Sequence, residues 1–130
     1  MTKKQKNDST PAMQGLIDML SAHAARVREL DKTADNSLHE HGDIQKYTQA
    51  LHSKAELLSE LSDLAQPYLA DLPTEQQEKI AQQLGAFSRN AQQSLEVDSI
   101  FFMRQLLYPE DYVEGEENDL ERFITSLCSQ

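Results

Sequence analysis

A chain of 130 residues is sized for one domain, and 38% hydrophobic residues with only 6% aromatics predict a thin, elongated core. Four glycines and four prolines are too few for a loop-rich or β-rich fold. The formal charge of −10, from 22 acids against 12 bases, argues against direct binding to nucleic acid or to an anionic membrane, where cationic contacts supply the affinity.

Met1-Thr-Lys-Lys-Gln-Lys opens like the basic end of a signal peptide, but no apolar stretch follows it, and no apolar run approaches bilayer length. One cysteine, Cys128, permits no internal disulfide. A cytoplasmic protein is expected, with a substrate of a signal-less export system as the alternative. Residues 1–9 are polar and lysine-rich and read as a disordered arm; residues 10–130 read as a single helical bundle domain.

Thr10-Pro11 predicts a helix start, with Thr10 as N-cap and proline at the first helical position, where its missing N–H costs nothing. Apolar or small residues then recur in steps of three and four at Met13, Ile17, Leu20, Ala24, Val27, Leu30, Ala34 and Leu38, ending at His41. That spacing forms one stripe along a helix over about 11–41. Gly42 offers a left-handed C-terminal cap, and Asp43 can cap the next helix.

A second stripe runs through Ile44, Tyr47, Leu51, Ala55, Leu58, Leu61, Ala65, Tyr68 and Leu72, predicting a helix over about 44–71. Reflected about the turn at 42–43, Leu38 faces Tyr47, Ala34 faces Leu51, and so on to Met13 facing Leu72. Each pair of residue numbers adds to 85, as two antiparallel helices on a tight turn require. Pro67 should kink or end this second helix about one turn early.

Leu72-Pro73-Thr74 marks the next boundary, with Thr74 as N-cap and Gln77 completing a capping box. A third helix over about 75–107 carries Ile80, Leu84, Phe87, Ala91, Leu95, Asp98, Phe102 and Leu106 on its stripe. Reflection about residue 74 sets Phe87 against Leu61 and Phe102 against Tyr47. The expected fold is therefore all-α: three long antiparallel helices, up-down-up, each spanning roughly 40–45 Å, plus a short C-terminal amphipathic helix. Tyr108-Pro109 should end helix three. Asn118 and Glu121 then cap a fourth helix over about 119–128, with Leu120, Phe123, Ile124 and Leu127 on one face. It is expected to fold over an aromatic end formed by Tyr47, Phe101, Phe102 and Tyr108.

Candidate sites are few. His39-Glu-His41-Gly-Asp43 looks metal-like, but residues two apart on a helix diverge, and Asp35 with His39 supplies only two ligands. The ferritin-like pairing of two Glu-x-x-His repeats is lacking. No metal site and no cofactor is expected. Asp98 sits on a stripe opposite Leu51, where His52 or Lys54 could partner it. The chain has no phosphate-binding glycine loop, nucleophile elbow or CxxC pair, so it is not expected to be an enzyme. Gly15 and Gly85, inside predicted helices, mark close helix approach or a tolerated cost.

The apolar surplus on helix three points to a protein partner. Phe101, Phe102, Met103, Leu106 and Leu107 are wider than one stripe. Either the fourth helix covers them or a partner must, with cover in cis favoured. The candidate partner-binding residues are Phe101, Phe102, Leu106, Leu107, Tyr108, Tyr112, Leu120 and Phe123. A separate acidic patch comprises Glu110, Asp111, Glu114, Glu116, Glu117, Asp119 and Glu121. It reads as solvated surface, or as the face of an acidic inhibitor that mimics nucleic acid and lets go as salt rises. A self-assembling structural protein or homodimer is a third reading.

The segment Lys54-Ala-Glu-Leu-Leu-Ser-Glu-Leu61 and the later Asn90-Ala-Gln-Gln-Ser94 before another apolar run resemble flagellar export chaperones of the FlgN and FliT kind. The resemblance covers residues 13–107 and is one of pattern more than motif. It implies a small cytosolic helical hairpin or bundle that holds the C-terminal helix of a secretion substrate. The acidic C-terminal helix has no clear counterpart in it, and no binding residue is carried over.

Overall fold

A computed structural model describes residues 11–129; the expected basic arm and the Thr10 cap lie outside the described residues. The described chain is helical with no strand, and runs α1 Pro11–His41, α2 Ile44–Ser59, α3 Leu61–Leu69, α4 Thr74–Glu96, α5 Ile100–Gln105 and α6 Asp119–Cys128. None of these helices is long and apolar enough to cross a membrane.

α1 begins at Pro11 and carries its buried face through Leu16, Leu20, Ala24, Val27, Leu30 and Ala34. It ends where Gly42 adopts φ +61, a left-handed conformation that costs glycine little. Asp43 Oδ1 then accepts the Lys46 amide at 3.0 Å and starts α2. The turn residues thus act as their chemistry predicts, and α1 packs along α2 and α3. Gly15 is a genuine close approach: a Cβ there would stand 2.7 Å from Cε1 of Tyr68. Gly85 meets only the tip of Arg89 on its own helix.

The second helix breaks at Glu60 rather than at Pro67, which lies inside α3. A cross-helix hydroxyl accounts for the break. Buried Ser88 of α4 accepts the Ser62 amide at 3.0 Å and donates to the Leu58 carbonyl at 3.0 Å. It stands between two groups that would otherwise bond each other in the i→i−4 ladder, and an inserted side chain bends a helix. The 72–74 boundary also differs in detail. Pro73 is the N-cap and Thr74 the first helical residue, with no side-chain cap bond. Gln77 reaches back instead, and its amide donates to the carbonyls of Ala70 and Leu72.

The third helix does not run to Leu107. α4 stops at Glu96, the amide of Asp98 bonds to the Leu95 carbonyl, and that of Ser99 bonds to the Ser94 carbonyl. This is the Schellman closure, with Asp98 at φ 50 in the place glycine usually takes. Aspartate tolerates that conformation better than most residues. Asp98 is therefore not a stripe residue opposite Leu51. Its side chain is 75% exposed, and its carboxylate lies 3.1 Å from His52 Nε2.

Ser99 caps α5 by accepting the Phe102 amide. The turn rotates the stripe by one residue, so Met103 is the buried side chain, packed with Ala34, Ala50, Leu51 and Ala55. Phe102, expected against Tyr47, points outward. After α5 the chain reverses at Leu107, which has φ +75 although its side chain is buried. An irregular strap over residues 108–117 leads to α6, which opens with the complete Asn118–Glu121 capping box.

α6 does not fold over the aromatic end. It packs on α1, placing Leu120 and Leu127 in the main core with Leu16, Leu20 and Leu84. Phe123 meets Phe87 edge-on at 6.1 Å. The cover expected in cis over Phe101 and Phe102 is thus spent on α1 and α4.

Candidate functional site

The residues singled out in the sequence separate into two neighbouring regions. One is a polar interlock between α1, α2, α5 and the strap. Its centre is Lys54, whose side chain has no solvent exposure. Lys54 Nζ lies 3.0 Å from Asp31 Oδ1, donates to the Arg104 carbonyl at 3.2 Å, and stands 4.8 Å from the centre of the Tyr108 ring. The Tyr108 hydroxyl donates to Asp31 Oδ2 at 2.6 Å. Burial lowers the Lys54 pKa and the charge of Asp31 opposes that shift. The same burial, reinforced by the hydrogen bond to Asp31, raises the Tyr108 pKa. Arg104 reaches Asp35 at 3.1 Å on the outer side.

Beside this centre, Arg28 ties the strap and α6 to α1. Its Nε and Nη2 donate to the two carboxylate oxygens of Glu121 at 3.0 and 2.6 Å, a bidentate fork. It also donates to the Tyr112 hydroxyl and to the Glu116 carbonyl. The fork raises the Arg28 pKa and holds the Glu121 carboxyl below its usual range. Tyr108 and Tyr112 meet edge-on at 4.8 Å. Predicted as partner contacts, Tyr108 and Tyr112 are in fact occupied here, as Leu107, Leu120 and Phe123 are in the core.

The second region is apolar and open. Val97, Phe101 and Phe102 are 62%, 67% and 55% exposed, and the two phenylalanine rings pack against each other at 5.8 Å. Half-buried Leu106 adjoins them. A groove of about 570 Å³ runs beside this corner, lined among others by Val97, Phe102, Leu106, Leu107 and Pro109. Of the eight predicted partner residues, Phe101 and Phe102 are exposed at this corner, half-buried Leu106 and Tyr108 and buried Leu107 line its groove, and Tyr112, Leu120 and Phe123 lie elsewhere. Val97 was missed, because it lay off the stripe read through Leu95, Asp98 and Phe102.

The acidic stretch is less free than its composition suggests. Glu121 is bound to Arg28, Glu116 lies 3.7 Å from Arg122, and Glu117 accepts the Thr125 hydroxyl at 2.7 Å. Glu110, Asp111 and Glu114 are exposed, with no ion pair among the described residues. Asp119 lines the apolar groove, where burial raises its pKa. His39 and His41 are exposed at the end of α1. Among the described residues, no three His, Cys, Asp or Glu side chains are grouped to hold a metal ion.

Compared with protein-family models, with curated proteins and with solved structures, the chain matches none of them.

Proposed function

We propose that this chain is a cytoplasmic protein-binding module, an adaptor or secretion-type chaperone, that holds its partner at the corner formed by Val97, Phe101, Phe102 and Leu106. The observation that carries the reading is the pair of adjacent phenylalanines, both more than half exposed, beside an open groove while α6 is committed elsewhere. Fully burying one such side chain is worth about 1.5–3 kcal/mol. Aromatic anchors set beside a pocket are the usual centres of interface energy. The resemblance to flagellar export chaperones agrees with a helical protein that holds another chain.

A binder fits better than a catalyst, because the polar groups gathered around Asp31 and Arg28 are spent on one another. A binder fits better than an acidic inhibitor too, since Glu116, Glu117 and Glu121 of the acidic stretch are engaged within the chain. The double variant Phe101→Ser/Phe102→Ser tests the reading in an affinity capture at low and high salt. A protein retained by the unaltered chain through high salt should be lost from the variant, with helical circular dichroism unchanged. Equal retention by both chains would remove the corner as the binding site. Loss of every retained protein at high salt would instead favour the acidic reading.

A further inference from the structure

We infer that the segment seated in the groove beside Phe102 is cationic and amphipathic, with apolar side chains flanked by lysine or arginine. The inference rests on the corner being the binding site, and adds the chemistry of what it binds.

The groove has an apolar wall of Phe102, Leu106, Leu107 and Pro109, and two carboxylates, Glu96 and Asp119, among its lining residues. Among the described residues, no lysine, arginine or histidine lines it. Neither carboxylate forms an ion pair among the described residues: Arg122, the base that acts on Asp119, lies 3.7 Å from Glu116. Burial disfavours the ionised form of Asp119 and Asp111 repels it, while Arg122 offsets this only in part and is not its ion-pair partner. A cation brought by an incoming segment would supply that partner, while its apolar face covered Phe102 and Leu106. The chain's charge of −10 steers such a segment inward and works against an acidic one.

Two other occupants fit less well. A second copy of this chain would bring its own Glu96 and Asp119 against the first pair, and like charges across an interface are costly. The chain's own first ten residues supply Lys3, Lys4 and Lys6, but Met1 is their only large apolar residue, so they offer charge without an apolar face.

Fluorescence anisotropy on the full chain tests this with three labelled peptides: a leucine/lysine amphipathic helix, the same peptide with glutamate for lysine, and a scrambled leucine/lysine peptide without an apolar face. The leucine/lysine helix should bind. Phe102→Ser should weaken it at least about tenfold, in keeping with loss of an aromatic anchor. Glu96→Gln and Asp119→Asn should each weaken it about threefold, as befits a partly exposed charge pair. Equal binding of the glutamate peptide would overturn the cationic inference and leave the apolar corner standing. Equal binding of the scrambled peptide, indifferent to Phe102→Ser, would show only attraction to an acidic surface and overturn it as well. Failure of the leucine/lysine helix to bind, with Phe102→Ser still releasing a salt-resistant protein from the chain, would likewise end the inference and spare the binding site.

Discussion

Around the short helix α5, the chain buries a lysine and exposes two phenylalanines. Lys54 sits inside because Asp31, the Arg104 carbonyl and the Tyr108 ring replace what water would have given it. Phe101 and Phe102 sit outside because the Schellman turn at Asp98 rotates α5 and hands the inward place to Met103. The two regions share α5, and Arg104 lies between them. The interlock fixes the short helix by polar contacts with demanding geometry, and so frees its aromatic face from any duty in the core. On the proposed reading, the interlock holds rigid the surface that a partner would meet.

The largest effect should come from breaking the interlock at its centre. Asp31→Ala leaves a buried ammonium without its counter-charge and should cost about 3–5 kcal/mol in a urea denaturation. Lys54→Met with Asp31→Leu removes both charges together and should cost less than Asp31→Ala alone. If the double variant is as unstable as the sum of its parts, the two charges are not coupled and the interlock is not the reason α5 is held. Next, Ser88→Ala strips the hydroxyl that joins α4 to the break between α2 and α3, leaving the Ser62 amide and Leu58 carbonyl to find each other. A loss of about 1–3 kcal/mol is expected; no loss would mean that the helix heals without it.

The Arg28–Glu121 fork should matter less, about 1 kcal/mol, because both side chains are partly exposed. Its signature is pH. The folded-state pKa of Glu121 is depressed below its unfolded value, so its contribution is present above about pH 4.3 and disappears as pH falls through the folded value. Glu121→Gln should flatten that part of the stability profile, and an unchanged acid limb would assign it to other carboxylates. The smallest effect belongs to the open corner. Phe101→Ser/Phe102→Ser should change the unfolding free energy in the same denaturation by no more than about 0.5 kcal/mol, as at an ordinary surface position. A larger loss would mean that these rings support the fold and are not spare.

Much of this architecture was legible in residue order. The turn at Gly42–Asp43, the α1 stripe and the limits of α6 follow from caps and periodicity, which are local. Even the interlock was within reach: Asp31 and Lys54 obey the same reflection about the first turn as the apolar pairs. A reading that follows only apolar stripes passes over a charge pair in register. Other features depend on contacts that no local pattern encodes. The break at Glu60 requires Ser88 to arrive from another helix, and α6 had two apolar surfaces to choose between, with only packing to decide. The exposure of Phe102 hangs on one aspartate adopting a left-handed conformation, which propensity disfavours. That single backbone choice separates an aromatic core residue from the centre of the proposed binding site.

Leu107 carries a consequence for how this molecule can change over time. Its left-handed backbone favours glycine, whereas its buried side chain favours a large aliphatic group. Glycine would recover about 1–2 kcal/mol of backbone strain but vacate a leucine-sized space worth about 2–5 kcal/mol. Isoleucine or valine would keep much of the volume and meet a backbone that β-branched residues tolerate poorly. Leucine thus outranks glycine, isoleucine and valine at this position. The reversal that places the groove beside α5 should therefore drift only through paired changes, with a second residue refilling the core before this one can relax.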